Sequence, residues 1–465
     1  MSSPVIWIIF PVIVSIGLFL LLRHRTLVYI IGFLFSLGLT GAAYWLPIET
    51  LVETGSTGFK ISGVLTVLGR QLFLNQDHQA ILILIYAITA FWLFGGLFTN
   101  VPPLLVPISL MVVSFLVGSI AVDPFLYAAI FIEIAVLLTL PLLVKDTKRL
   151  NAGAMRFLTF QTIGMIFLLF TGWLLGGVET APADRVAALR TLVFLGLGFA
   201  FILAIFPFYS WIPMLTEYEN PYTVGFILIL FPTVILLFGI TFIEKYSWLR
   251  SSTELKQALQ IVGTFMVVIG GIWSAFQKHL GRMFGYAVIV ENGLSLIAIG
   301  TLTPNGFQVF ANLFLPRVLS FGLWALCLSV IRKKYNTLEL AKLGGIGKSE
   351  ILITLGFLVA QFSIGGLPLL GGFPLRVALL EEISLQSIVI AWAIIIGIGG
   401  IWAAGLISLS TALKSESGWK GFFNENIVVN TLICIGILGL LIMGLFPQSY
   451  SLGMLNILLP YPHLY

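Results

Sequence analysis

The stretch ILILIYAITAFWLFGGLF, from Ile81 to Phe98, runs eighteen residues without a charge. As a helix rising about 1.5 Å per residue it nearly crosses a hydrocarbon layer roughly 30 Å thick. In such a layer every backbone N–H and C=O needs an internal partner, which leaves only helices and closed barrels. Barrel strands alternate polar and apolar residues. This run does not alternate, so it reads as a membrane helix. The same reading applies outward from it, to 4–22, 27–46, 102–121, 124–144, 154–176, 189–216, 221–243, 257–276, 283–302, 306–331, 350–382, 387–413 and 427–447. The chain is therefore expected to be an all-α integral membrane protein with about fourteen transmembrane helices.

Composition agrees. Of 465 residues, 59% are hydrophobic and 9% charged, and the mean hydropathy is +1.08. Soluble domains carry about 25% charged residues. Cys327 and Cys434 both lie in apolar runs, and no CxxC or Cys/His cluster is present. An iron–sulfur cluster or cysteine zinc site on this chain alone is thereby excluded. No GxGxxG or GxxxxGK[ST] supports nucleotide binding. No basic tract with interleaved aromatics supports nucleic-acid binding, and the net charge of +5 fits an anionic membrane face instead. No redox cofactor or metal is expected on this chain; bound lipid is compatible with it. Pro4 to Leu22 has no basic residue before it and no clear cleavage site after it, so it reads as a retained first helix.

The longest connection, 47–78, contains FKISGVLTVLGRQLFL, which suits either a β-hairpin or an interfacial helix. The loops after odd-numbered helices hold fourteen basic residues: Arg23, Arg25, Lys145, Lys148, Arg149, Lys278, Arg282, Arg332, Lys333, Lys334, Lys342, Lys348, Lys414 and Lys420. The other side holds seven: Lys60, Arg70, Arg185, Arg190, Lys245, Arg250 and Lys256. The richer side is expected to be cytoplasmic, with both termini outside.

Few charges remain inside the apolar runs, and such charges are costly and commonly functional. Glu133, in FLYAAIFIEIAVLLTLPLLV, falls near mid-bilayer depth and suits a protonatable group on an ion path or a buried structural acid. Glu291 precedes Asn292 and Gly293 and suits a hydrated cavity or an interhelical hydrogen bond. Arg317 follows Pro316, which frees a carbonyl one turn back that a cation can satisfy. Arg376 follows SIGGLPLLGG, where Gly365, Gly366 and Pro368, with Pro374 just after, predict an interrupted helix. A second interruption is expected in FPFYSWIPMLTEYENP, at Pro207 and Pro213. Glu381 and Glu382 sit nearer an interface, and Arg156 is placed to reach one.

These residues resemble the antiporter-like membrane subunits of respiratory complex I, shared with Mrp-type cation/proton antiporters and membrane-bound hydrogenases. Glu133 resembles the family's glutamate on the fifth helix. Pro207–Pro213 (PFYSWIP) resembles PFHxWLP on a broken seventh helix. QKHLGRMFGYAVIVENG, Gln277 to Gly293, resembles QxxLKRxLAYSSISHMG, and GGLPLLGGFPLR resembles AGIPPLxGFxxK on a broken twelfth helix. The motifs occur in family order and span most of the chain.

The resemblance implies two inverted five-helix repeats, each supplying half of a proton channel. It divides the chain into 1–98, a first repeat at 102–243, a second at 257–413, and a tail at 427–465. It also implies other membrane subunits as partners, no nucleic acid, surrounding lipid, and residence in a bacterial inner membrane. Candidate proton-path residues are Glu133, Lys278, His279, Glu291, Arg317 and Arg376. The chain departs from the family pattern in several places. The seventh-helix lysine position holds Ile202, and the eighth helix has Pro232 but no lysine or histidine. The PFHxW histidine is Tyr209, the acid position after WLP is Met214, the tenth-helix histidine is Glu291, and the twelfth-helix lysine is Arg376. Three functions fit this pattern. The first is a membrane-arm subunit of a complex I-like proton-translocating oxidoreductase, with electron transfer in other subunits and a degenerate channel here. The second is a non-conducting scaffold paralogue. The third is a subunit of an Mrp-like antiporter or an inorganic-carbon uptake complex.

Overall fold

Apolar runs that must satisfy their own backbone fold as helices, and this holds along the chain. The computed structural model describes residues 2–48, 50–54, 57–67, 69–99, 101–144, 151–180, 185–414 and 426–464. Lys145, Lys148, Arg149 and Lys420 of the charge count lie outside them, as does the side chain of Lys60. Among the described residues eleven helices are long and apolar enough to cross a membrane. They are Arg25–Trp45, Gln76–Gly96, Phe125–Leu143, Ala152–Leu175, Arg185–Ile202, Pro221–Lys245, Thr253–Ala275, Leu280–Gly300, Pro304–Tyr335, Ile388–Leu413 and Ile427–Leu445. Three shorter apolar helices join them: Val5–Leu20, Leu105–Ala121 and Ile351–Ile364. The chain is a multi-pass membrane protein.

The connection 47–78 contains hairpins rather than an interfacial helix. Thr50–Thr54 pairs antiparallel with Thr57–Ile61, and Val64–Val67 with Arg70–Phe73. Gly69 takes φ +74°, the left-handed conformation a tight hairpin needs. Val122–Asp123 adds a short third strand to the second hairpin, and the Arg70 guanidinium lies 4.3 Å from the centre of the Tyr127 ring.

The fold divides into two compact units. The first comprises Met1–Leu97, Pro102–Phe208 and Leu230–Phe242; the second comprises Phe98–Val101, Tyr209–Ile229 and Ile243–Tyr465. The division at Phe208 falls within the stretch 102–243 read as one repeat. In the first unit Leu18, Val28, Tyr29, Leu93, Val106 and Leu110 form a buried cluster. Polar groups between its helices reach backbone: the Ser15 hydroxyl donates to the Pro107 carbonyl at 2.6 Å, and Tyr29 to Pro102 at 3.2 Å.

The second unit is built on close backbone approach, as expected where helices lack a hydrophobic drive to associate. A Cβ on Gly293 would lie 2.7 Å from the Gly263 carbonyl oxygen, joining Leu280–Gly300 to Thr253–Ala275. A Cβ on Gly285 would lie 2.6 Å from Thr216 Oγ1 and 3.1 Å from Pro213 Cα. That second approach seats the short helix Trp211–Tyr218 against Leu280–Gly300, in keeping with the place of Tyr209–Ile229 in the second unit.

Candidate functional site: a carboxylate between two guanidiniums

Two interrupted helices create the polar features. The first stops at Ile202, with Ala204 at φ +56°, and helix resumes at Trp211–Tyr218. Pro207 lies in the gap. Pro213 does not interrupt a helix: it occupies the first turn of Trp211–Tyr218, where a missing N–H costs little. The second stops at Ile364, with Gly366 at φ +65°, and resumes at Phe373–Ser384. Gly365 and Pro368 lie at or in that gap, and Pro374 opens the new helix.

Each stop leaves carbonyls without a helical partner. At the first, the Gln161 carboxamide donates to the Ile202 carbonyl at 3.0 Å. At the second, Arg376 Nε and Nη2 donate to the Ile364 carbonyl at 3.3 and 3.0 Å, and Trp402 Nε1 donates to Gly365 at 2.7 Å.

Arg376 also reaches Glu291 Oε1 through Nη2. Arg317 approaches the same carboxylate from Pro304–Tyr335. Its Nε lies 3.4 Å from Glu291 Oε2, and its Nη2 donates to the Glu291 carbonyl at 2.9 Å and to Ser295 Oγ. Helix Pro304–Tyr335 continues through Pro316, and the Arg317 bonds are directed to the neighbouring helix. All three residues are buried, at 2% exposure for Glu291, 3% for Arg317 and 4% for Arg376. Beside them is a cavity of about 10 Å³ bordered also by Ser320 and Ser363, whose hydroxyls bond each other at 2.9 Å. Three of the six expected path residues thus form one cluster.

The other three lie elsewhere. In the first unit Glu133, 8% exposed, accepts a 2.6 Å hydrogen bond from Thr162 on Oε1, while its buried Oε2 has no partner among the described residues. Phenylalanines fill the unit around the first interruption. Phe201 stacks on Phe208 at 4.0 Å, and Phe160 meets both at 5.7 Å. Phe199 packs edge-on against Phe242 at 5.9 Å. Ile202 is buried, and the chain from Pro221 to Ile243 holds no acid, lysine, arginine or histidine.

Lys278 and His279 lie before the first turn of Leu280–Gly300, roughly 18 Å along the helix from Glu291 at about 1.5 Å per residue. The Lys278 carbonyl accepts from Leu340 N at 2.9 Å, and His279 bridges Glu339 through backbone. Burial, reinforced by the charge of Arg332, pushes the His279 imidazole down to about 4; Glu339 opposes this and Arg282 adds to it. The hydrogen bond and charge of Lys342, at 2.8 Å, hold Glu339 below the usual carboxylate range. Nearby, Arg332 caps Trp211–Tyr218 by donating to the Tyr218 carbonyl at 2.8 Å and to that of Glu219. Glu382 accepts from Thr303 at 2.7 Å.

Sequence reasoning did not single out Gln161, Thr162, Ser295 or Trp402. The first two were detectable as a Gln-Thr pair inside FLTFQTIGMIF, a polar step in an apolar helix. No group of three or more His, Cys, Asp or Glu suited to a metal occurs among the described residues.

A bundle of apolar helices, two of them interrupted and the second interruption holding a buried Glu–Arg–Arg cluster, accords with an antiporter-type membrane subunit. The family model for the transmembrane NADH:quinone oxidoreductase/Mrp antiporter proteins matches residues 123–401, more than half of the chain. The chain belongs to that family. It is 25% identical over 422 residues to an NADH-quinone oxidoreductase subunit N of Laribacter hongkongensis, covering 83% of this chain and 80% of that protein. To the NADH-quinone oxidoreductase subunit 14 of Thermus thermophilus it is 28% identical over 246 residues, about half of each chain. In fold it is similar to a chain of the Mrp complex from Dietzia, with TM-score 0.81 and 15% identity over 100% of this chain and 98% of that one. A chain of Thermus thermophilus respiratory complex I gives TM-score 0.74 and 18% identity over 99% and 98%.

Proposed function

We propose that this chain is a membrane-arm subunit of a complex I-like, proton-translocating oxidoreductase. It carries no redox chemistry and works beside other membrane subunits in a bacterial inner membrane. The observation that carries this reading is the buried Glu291–Arg317–Arg376 cluster at the second helix interruption, in a chain of this family. Its fourteen-helix topology, two inverted repeats at 102–243 and 257–413, and outward termini follow from the loop-charge pattern and the resemblance.

The channel is degenerate in its first half. A proton relay needs groups that exchange protons or waters that bridge them. Ile202, the phenylalanine packing and the apolar 221–243 stretch supply no exchanging side chain. Glu133 keeps a single hydroxyl donor and serves as the outlying protonatable group of that half. In the second half Arg376 holds its charge, so it anchors Glu291 and does not pass protons itself.

Purification through this chain in mild detergent tests the assignment. Co-purifying iron–sulfur and quinone-reductase subunits support it. Recovery with only small membrane proteins or a carbonic-anhydrase-like partner overturns it. The second reading, an Mrp-like antiporter subunit, is favoured by the TM-score of 0.81 over the full chain length. It requires Mrp-type partners and sodium-dependent proton exchange in vesicles, without NADH oxidation.

A further inference from the structure

The cluster in the second unit does not balance. One carboxylate faces two guanidiniums, and a guanidinium keeps its proton in proteins. The site therefore carries an excess of one positive charge at 2–4% exposure. An uncompensated buried ion costs several kcal/mol even after relaxation. Two further observations point to what offsets it. Arg317 Nη1 and Arg376 Nη1 are buried and have no hydrogen-bond partner among the described residues. Both arginines border the cavity of about 10 Å³, the size at which one water-sized particle fits.

We propose that this cavity, between Arg317 and Arg376, is the binding site of a single small inorganic anion of the halide class, chloride in the cell. A water molecule fits the volume but leaves the charge unmatched. A volume of about 10 Å³ has no room for a carboxylate from another polypeptide. A halide satisfies the two orphaned Nη1 groups with charge-assisted hydrogen bonds. It is somewhat larger than water, and the Ser320 and Ser363 hydroxyls, now bonded to each other, can turn toward it as further donors. The bound anion and Glu291 then match the two guanidiniums charge for charge. The inference goes beyond the proposed function and holds whether or not the chain conducts protons.

The test is equilibrium binding of radioactive chloride to the full-length chain, in the assembly in which it purifies, exchanged into gluconate. Wild type should bind about one chloride per chain, and R317Q and R376Q, whose remaining pair is neutral, should each weaken binding at least about tenfold. E291Q, which raises the excess charge, should bind at least as tightly as wild type. No chloride on the wild-type chain overturns the proposal. Equal binding by wild type, R317Q and R376Q means an adventitious ion only, and overturns it too. If the arginine variants fail to fold, bromide-soaked wild-type crystals decide: an anomalous peak within hydrogen-bond reach of both guanidiniums supports the site, and its absence refutes it.

Discussion

Arg376 and Glu291 stand 85 positions apart in the sequence and share a buried hydrogen bond. The arginine reaches the carboxylate with the same nitrogen that holds the Ile364 carbonyl. One side chain thus ties the stopped helix Ile351–Ile364 to the intact helix Leu280–Gly300. Removing either partner has unequal consequences. E291Q leaves two guanidiniums without their carboxylate and should lower stability by about 3–5 kcal/mol. R376Q leaves the Glu291–Arg317 pair balanced and a carboxamide able to donate to Ile364, so its loss should be about 1–3 kcal/mol. Thermal unfolding in one detergent compares them; equal losses would contradict the charge argument.

The Ile202 carbonyl depends on Gln161 in the same way. Q161L should leave that carbonyl unpaired and destabilise the first unit by about 1–3 kcal/mol. Q161E cannot donate when ionised and should be at least as damaging. Denaturation midpoints check both, and a neutral effect of Q161L would show that water replaces the cap.

For Glu133 the expectation concerns transport. E133Q keeps the shape and the Thr162 contact but removes the exchangeable proton. Proton translocation by the assembled complex should fall while assembly is retained. T162V, which removes the hydroxyl donor bonded to Glu133 at 2.6 Å, should produce a smaller decrease. Dye-quenching measurements on inverted vesicles distinguish these outcomes; unchanged pumping in E133Q removes Glu133 from any path.

His279 makes stability depend on pH. Its folded imidazole stays neutral down to about 4, whereas in the unfolded chain it protonates near the ordinary histidine value of 6.5. Between those values the unfolded chain binds more protons, so stability rises with pH and falls on acidification. The contribution is complete above about 6.5 and lost as pH drops toward 4. H279Q should flatten the unfolding midpoint across that window; an unchanged slope would assign the dependence to other groups.

The sequence made some of this legible and hid the rest for physical reasons. Glu291, Arg317 and Arg376 stood out because a charge in an apolar run is costly. The interruption at Gly365–Gly366 was readable from glycine and proline chemistry. Nothing in the sequence brought the three charges together, because their meeting depends on how three helices pack. Pro213 was misleading as an interruption, since proline also opens helices and position decides which. Gln161 was overlooked because a neutral amide leaves little trace in a hydropathy pattern. The connection 47–78 stayed ambiguous until the strand pairing around Gly69 was defined.

The two interrupted helices are closed by different chemistry, a neutral carboxamide at Ile202 and a cationic guanidinium at Ile364. A membrane potential does work only on net charge, about 2.3 kcal/mol per elementary charge moved through 100 mV. Voltage therefore has nothing to pull on at the Gln161 cap. At the Arg376 cap the group that holds the helix end is itself an ion, so voltage acts on it whenever it moves relative to the negative charges that balance it, and the first interruption has no such handle.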